Sequence, residues 1–161
     1  LTREGALKAA AETGLPICLM HMNGEPQVMQ NNPQYSVPVE QAVLAQLAES
    51  IERCEQAGIE RSRLIVDPGF GFGKNTQHNY RLLNRLETLQ TLKLPILTGL
   101  SRKRMIGAAT QQGNAADRII GSVSAAVICA LKGARIIRVH DVKATVEAMQ
   151  VVSATFKESN V

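Results

Sequence analysis

The chain has 161 residues, 45% hydrophobic and 20% charged, a balance that excludes an intrinsically disordered protein and fits one domain with a sizeable core. Eighteen Lys and Arg against 14 Asp and Glu leave a net charge of +4, which suits a small anionic ligand as well as nucleic acid and selects neither. With 3% aromatics there are few platforms for stacking bases, and no stretch approaches the ~20 apolar residues of a membrane helix.

The first residues, Leu1 to Gly5, carry no initiator Met, no basic flank and no apolar signal run, and read like the middle of a protein. Residues 3–13 read as a helix, with Thr2 a candidate N-cap and Gly14 a stop. Pro16 opens an apolar run, Ile17 to Met20, which predicts a buried strand ending at His21. Residues 23–38 are polar and hold three Pro, which predicts a long loop of the kind that is often functional. A helix follows over 39–57, with Val43, Leu47, Ile51 and Cys54 on one face and Gly58 as its stop. Leu64 to Val66 is a second strand, ending at Asp67-Pro68 and a glycine-rich run. Leu82, Leu83, Leu86 and Leu89 mark the next helix. Pro95 to Thr98 is a third strand and Ile136 to Val139 a fourth. An Ala-rich helix over 115–132 lies between them, and a helix over 143–157 closes the chain, with Val142, Val146, Met149 and Val152 on one side.

Continuous apolar strands alternating with helices imply a parallel sheet covered by helices. His21, Asp67, Ser101, Arg102, Lys103, Arg138 and His140 all fall at or just beyond strand ends. In a parallel α/β protein those ends share one face, where ligands bind. Cys18, Cys54 and Cys129 form no Cys-x-x-Cys pair, which predicts buried free thiols in a reducing cytoplasm, with a thiol catalyst as the alternative.

Asp67-Pro-Gly-Phe-Gly-Phe-Gly-Lys74 is the most informative stretch. Its amides and Lys74 could meet an anion, yet it is neither a Walker A loop nor a G-x-G-x-x-G motif. A tight strand-to-helix turn is the plainer reading, but Phe70 and Phe72 then need a pocket or a ligand to cover them. Asp67 could bind a guanidine-like ligand, cap a helix or join a salt bridge. Ser101 could cap a helix beside three cations, Arg102, Lys103 and Arg104, which suit an anion or simply face solvent. Arg138 and His140 alternate on a strand and suit phosphate; otherwise Arg138 is a core residue paired to Asp67 or Asp141. His78 is read as structural, and no His or carboxylate spacing supports a protein-built metal cage.

Five segments in register resemble dihydropteroate synthase, the folate-pathway enzyme, across about residues 4–155. They are Leu19-Met-His-Met22 with Met29-Gln30, Asp67 to Lys74 with His78-Asn79, Gly99-x-Ser101-Arg-Lys103 with Met105-Ile-Gly107, Gly121-Ser122, and Arg138-Val-His140-Asp-Val142. The resemblance implies a (β/α)8 TIM barrel of which this chain covers the C-terminal half, a single pterin-binding unit of four strands over residues 1–161. It implies transfer of a 7,8-dihydropterin-6-ylmethyl group from its diphosphate to p-aminobenzoate. Mg2+ would be bound mainly through the diphosphate.

By the same resemblance Asp67, Lys103 and Arg138 carry catalysis. Asp67 would hold the guanidine-like edge of the pterin. Lys103 would bind the pterin carbonyl and ring nitrogen and help hold the aminobenzoate. Arg138 would stack on the pterin and reach the diphosphate, with His140 as an anion ligand. Met20 and Gly99 would line the substrate pocket, and Phe72 and Ser101 would contact the aminobenzoate. The family dimerises through its last helices. The family's opening N-x-T-P-D-S-F loop and first strands find no match here. The expectation is therefore a half barrel with two open sheet edges and negligible activity by itself. The rivals are the pterin-binding module of a methyltransferase and an inactive half barrel that self-associates.

Overall fold

The computed structural model describes residues 5–24 and 33–157. Thr2, Met29, Gln30 and the middle of the 23–38 loop lie outside the described residues. The elements are α1 (Ala6–Glu12), β1 (Ile17–Met20), α2 (Val39–Gln56), β2 (Leu64–Asp67), α3 (Thr76–Asn84), β3 (Ile96–Thr98), α4 (Arg104–Thr110), α5 (Ile119–Leu131), β4 (Ala134–Ile137) and α6 (Val142–Lys157). Among the described residues no single helix is long and apolar enough to cross a membrane.

The four strands form one parallel sheet in chain order, β1-β2-β3-β4. Each crossover advances by one strand in the same direction. Right-handed βαβ connections therefore put the helices between strands on one face, as in a (β/α)8 barrel and unlike a doubly wound sheet. The core lies between that face and the helices. Leu19, Leu64, Val66 and Ile96 meet Val43, Leu47, Ile51 and Cys54 of α2 and Leu82 and Leu83 of α3 there. The apolar face predicted for α2 is buried at every one of its four positions.

The opposite sheet face explains what the sequence reading misses. Met20 pairs in register with Asp67, and Cys18 with Ile65, so these residues share the face without helices. Cys18 is exposed rather than buried, and Met20 is 41% exposed. β1 is thus not the fully buried strand expected: Leu19 is buried and Ile17 packs partly buried against the core, while Cys18 and Met20 face the other way. β4 begins two residues early, at Ala134, because Ile96 pairs with Ala134 directly after Gly133. Arg138 and Val139 consequently follow the strand. The helix expected over 115–132 divides into a 3-10 turn, Ala115–Arg118, and α5. Leu86 and Leu89 sit in a second 3-10 segment, Leu86–Leu92, beyond the end of α3.

Candidate active site

β2 is central, so its last residue is covered on both sides, and Asp67 is only 6% exposed. Its carboxylate accepts from the Gly69 amide at 2.7 Å. Burial pushes its pKa upward, against the pull of that amide and of Lys103, Arg138 and Lys74. The chain then runs tightly past the end of β1. Gly69, Gly71 and Gly73 are all left-handed, with φ of 65°, 78° and 64°. A Cβ on Gly69 would lie 1.9 Å from the His21 carbonyl oxygen, and one on Gly73 would lie 2.1 Å from that of Asn23. Only glycine allows this path.

The glycine loop does cover its phenylalanines. Phe70 is buried in the core, and Phe72 is half-buried. The Lys103 ammonium donates to the Phe70 carbonyl and stands 4.7 Å from the centre of the Phe72 ring. Burial lowers its pKa to about 8, with Asp67 opposing and Arg138 reinforcing the shift.

Lys74 is withdrawn from the anion role open to it in the sequence. It is 3% exposed, and its ammonium donates to His21 Nδ1 at 2.9 Å, Gly69 O at 2.8 Å and Phe72 O at 3.1 Å. Its three N–H groups are consumed in shaping the loop. Tyr35 adds a second mooring, donating to Gly73 O at 2.9 Å while packing on His21 and His78. His78 meets the Tyr35 ring edge-on, and its Nδ1 is buried without a hydrogen-bond partner among the described residues. In the sequence Tyr35 carries only a weak signal, a large aromatic in a loop that is mostly polar.

Burial, with Lys74 second, lowers the His21 pKa from 6.5 to about 3. Between those values the unfolded chain binds the proton and the native chain does not. This contribution to stability is complete above pH 6.5 and falls away as pH drops toward 3. Urea midpoints measured from pH 7 to pH 4 should decline less steeply for His21→Gln than for the parent chain. Equal slopes would contradict this assignment.

At the end of β3, a Cβ on Gly99 would lie 3.0 Å from Arg138 Nη2. Glycine lets the guanidinium lie over the strand end. Arg138 is exposed and forms no ion pair among the described residues, because Asp141 is taken by Arg102 at 2.6 Å. The core-Arg alternative is therefore wrong. Arg102 is likewise not a free cation of the strand-end face. Ser101 is 7% exposed and does not cap α4, whose N-cap position is Lys103. Its hydroxyl instead accepts from the His140 amide at 3.2 Å and shares a hydrogen bond with His140 Nδ1 at 3.0 Å. Two loops that are far apart in sequence are joined there.

The described residues thus bring Asp67, Lys103 and Arg138 within electrostatic reach of one another, with Phe72 and Gly99 packed on the two cations. Met20 stands beside Asp67, and Ser101 and His140 touch. Cys18 shares the field of Asp67 and Arg138, a position the sequence reading did not select. No three His, Cys, Asp or Glu among the described residues could hold a metal ion. Around a face this cationic, the described residues do not fit a Mg2+ cage of their own.

A buried carboxylate ringed by cations, beneath a glycine loop at parallel strand ends, is a site for a ligand with a hydrogen-bonding edge and an anionic tail. The sequence profile described as pterin binding enzyme matches residues 2–140. The chain belongs to the pterin-binding enzyme family. It is 57% identical over 155 residues to dihydropteroate synthase of Escherichia coli strain K12, covering 96% of this chain and 54% of that protein. It superposes with a TM-score of 0.95 and 52% identity on Yersinia pestis dihydropteroate synthase in a sulfonamide complex, covering 99% of this chain and 57% of that one. The Xanthomonas albilineans enzyme in complex with 7,8-dihydropteroate gives a TM-score of 0.89 and 44% identity, covering 96% and 56%. The chain spans about half the length of the relatives it matches. Its four βα units are accordingly half of the family's (β/α)8 barrel.

Proposed function

We propose that this chain carries the pterin and p-aminobenzoate sites of a dihydropteroate synthase. The observation behind this reading is the buried Asp67 carboxylate with Lys103 and Arg138 converging on it. Asp67 holds the guanidine-like edge of the pterin through paired hydrogen bonds. Arg138 and His140 meet the diphosphate, and Lys103 spans the pterin and the aminobenzoate. Phe72 and Ser101 contact the aminobenzoate, and Met20 and Gly99 line the pocket.

In the reaction the arylamine nitrogen bonds to the methylene carbon as its C–O bond breaks. Pyrophosphate leaves with the electron pair, and the new secondary amine releases its proton to water. The cations stabilise charge growing on the leaving group. An arylamine is nucleophilic without a strong base, so this reaction asks for no general base of high pKa. Mg2+ belongs to this proposal only as a companion of the substrate diphosphate.

The open edges of β1 and β4 are where four further strands would close the barrel. Exposed Ile120, Val151 and Phe156 on α5 and α6 support a dimer through those helices. Three free cysteines fit a cytoplasmic location.

The test is to fuse these residues to the unmatched N-terminal part of the E. coli relative. This completed barrel should form dihydropteroate, while the 161-residue chain alone should show negligible turnover. A completed barrel that folds and binds pterin without turnover would favour a methyltransferase-type module instead.

A further inference from the structure

Three non-glycine residues among those described have left-handed backbone: Lys93, Arg102 and Gln111. Lys93 and Gln111 follow helical segments, where such a residue is ordinary. Arg102, at φ 59°, instead lies between Ser101 and Lys103, two of the proposed substrate contacts. A strained backbone of this kind persists only where its surroundings over-determine it.

The surroundings of Arg102 do so from three elements. Its amide donates to Ser122 Oγ at 2.8 Å, and its carbonyl accepts from Arg118 Nη1 at 2.9 Å. Its Nε and Nη2 donate to the two carboxylate oxygens of Asp141 at 3.1 and 2.6 Å. Arg118 is itself fixed, donating to Gln112 O at 3.0 Å and Gly113 O at 2.6 Å. It passes so close to α4 that a Cβ on Gly107 would lie 2.5 Å from its Nε. Ser122 Oγ donates to Arg118 O at 2.6 Å, closing the network.

We propose that Arg102 is a positioning residue whose ion pair with Asp141 holds the Ser101–Lys103 turn and locks it to the loop bearing Arg138 and His140. With residue 102 left-handed, Ser101 meets His140 and Lys103 meets the Phe72 ring from one turn. Asp141 follows His140 directly, so the pair fixes the spacing between the proposed aminobenzoate and diphosphate contacts. Asp67, on β2, lies outside this network. The inference rests on the proposed function for the identity of its ligands, and on geometry alone for the clamp.

The test uses Asp141→Asn and Arg102→Lys in the completed barrel, with Arg102→Gly as a third variant. Glycine adopts left-handed backbone without strain, so it keeps the turn's path and removes only the fork. All three should raise KM for p-aminobenzoate about tenfold. The Kd for a dihydropterin lacking the diphosphate should rise by a smaller factor than that KM, since Asp67 still holds the ring's edge and Lys103 is only one of its contacts. Amide exchange over residues 101–104 should quicken about tenfold. Unchanged KM and exchange would overturn the proposal. So would KM and pterin Kd rising by the same factor together with a lowered urea midpoint in all three variants, which marks general structural damage. If the unaltered barrel binds no pterin, the functional reading falls, and exchange alone decides: unchanged rates in Asp141→Asn would overturn the clamp.

Discussion

Asp67→Asn in the completed barrel should lower kcat/KM for the pterin substrate about 100-fold while leaving the protein at least as stable. The two halves of this result have one cause. Asp67 is almost wholly buried, and its raised pKa means that folding penalises its charged form. Asn keeps the shape and removes that penalty at pH 7. It also accepts from the Gly69 amide through its side-chain oxygen, so the loop loses little. What Asn lacks is a second charged acceptor for a guanidine-like edge. Charge-assisted hydrogen bonds are worth about 1.5–3 kcal/mol, and each ~1.4 kcal/mol is tenfold. Steady-state kinetics and urea unfolding measured together check it. A variant with parental kcat/KM would remove Asp67 from the pterin site; one that loses both activity and stability would make Asp67 structural.

Lys103→Ala in the completed barrel should raise KM for p-aminobenzoate and lower kcat, each by about tenfold or more, because in the proposed function one ammonium serves both substrates. The ammonium is held by the Phe70 carbonyl and the Phe72 ring, and Gly71 leaves room for its stem: a Cβ there would touch Lys103 Cδ at 3.3 Å. Its pKa near 8 makes the prediction sharper. The unaltered completed barrel should lose activity as pH rises through about 8 and Lys103 sheds its proton. That alkaline limb should be missing in Lys103→Ala. Unchanged kinetics, or an alkaline limb that survives the substitution, would sink the role given to Lys103.

Much of this fold is legible in the chain itself. The 4, 4, 3 spacing of Val43, Leu47, Ile51 and Cys54 announces α2, and all four are buried. Glycines and prolines punctuate the units, so the helix–strand order follows from local periodicity. The glycine run after Asp67 is equally readable, because φ above zero is a property of single residues. A short apolar run does not say which of its faces will be covered. That depends on the sheet around it, and so Cys18 is exposed where its apolar run predicts burial.

Which cations remain free is decided only in three dimensions. Lys74 and Arg102 look in the sequence like Lys103 and Arg138. Lys74 is claimed by His21, 53 residues earlier, and Arg102 by Asp141, 39 residues later. Ser101 is turned from a helix cap into a partner of His140, 39 residues away, by the same closure. Spacing along a chain sets periodicity, strand ends and backbone permissiveness, which are local energies. The pairing of buried charges is a contest among all partners that the parallel sheet gathers at one rim. The sequence by itself therefore determined the βα order and the strand-end location of the site. Only the folded chain ties Lys74 and Arg102 into its own loops and brings Asp67, Lys103 and Arg138 within electrostatic reach of one another at the strand ends.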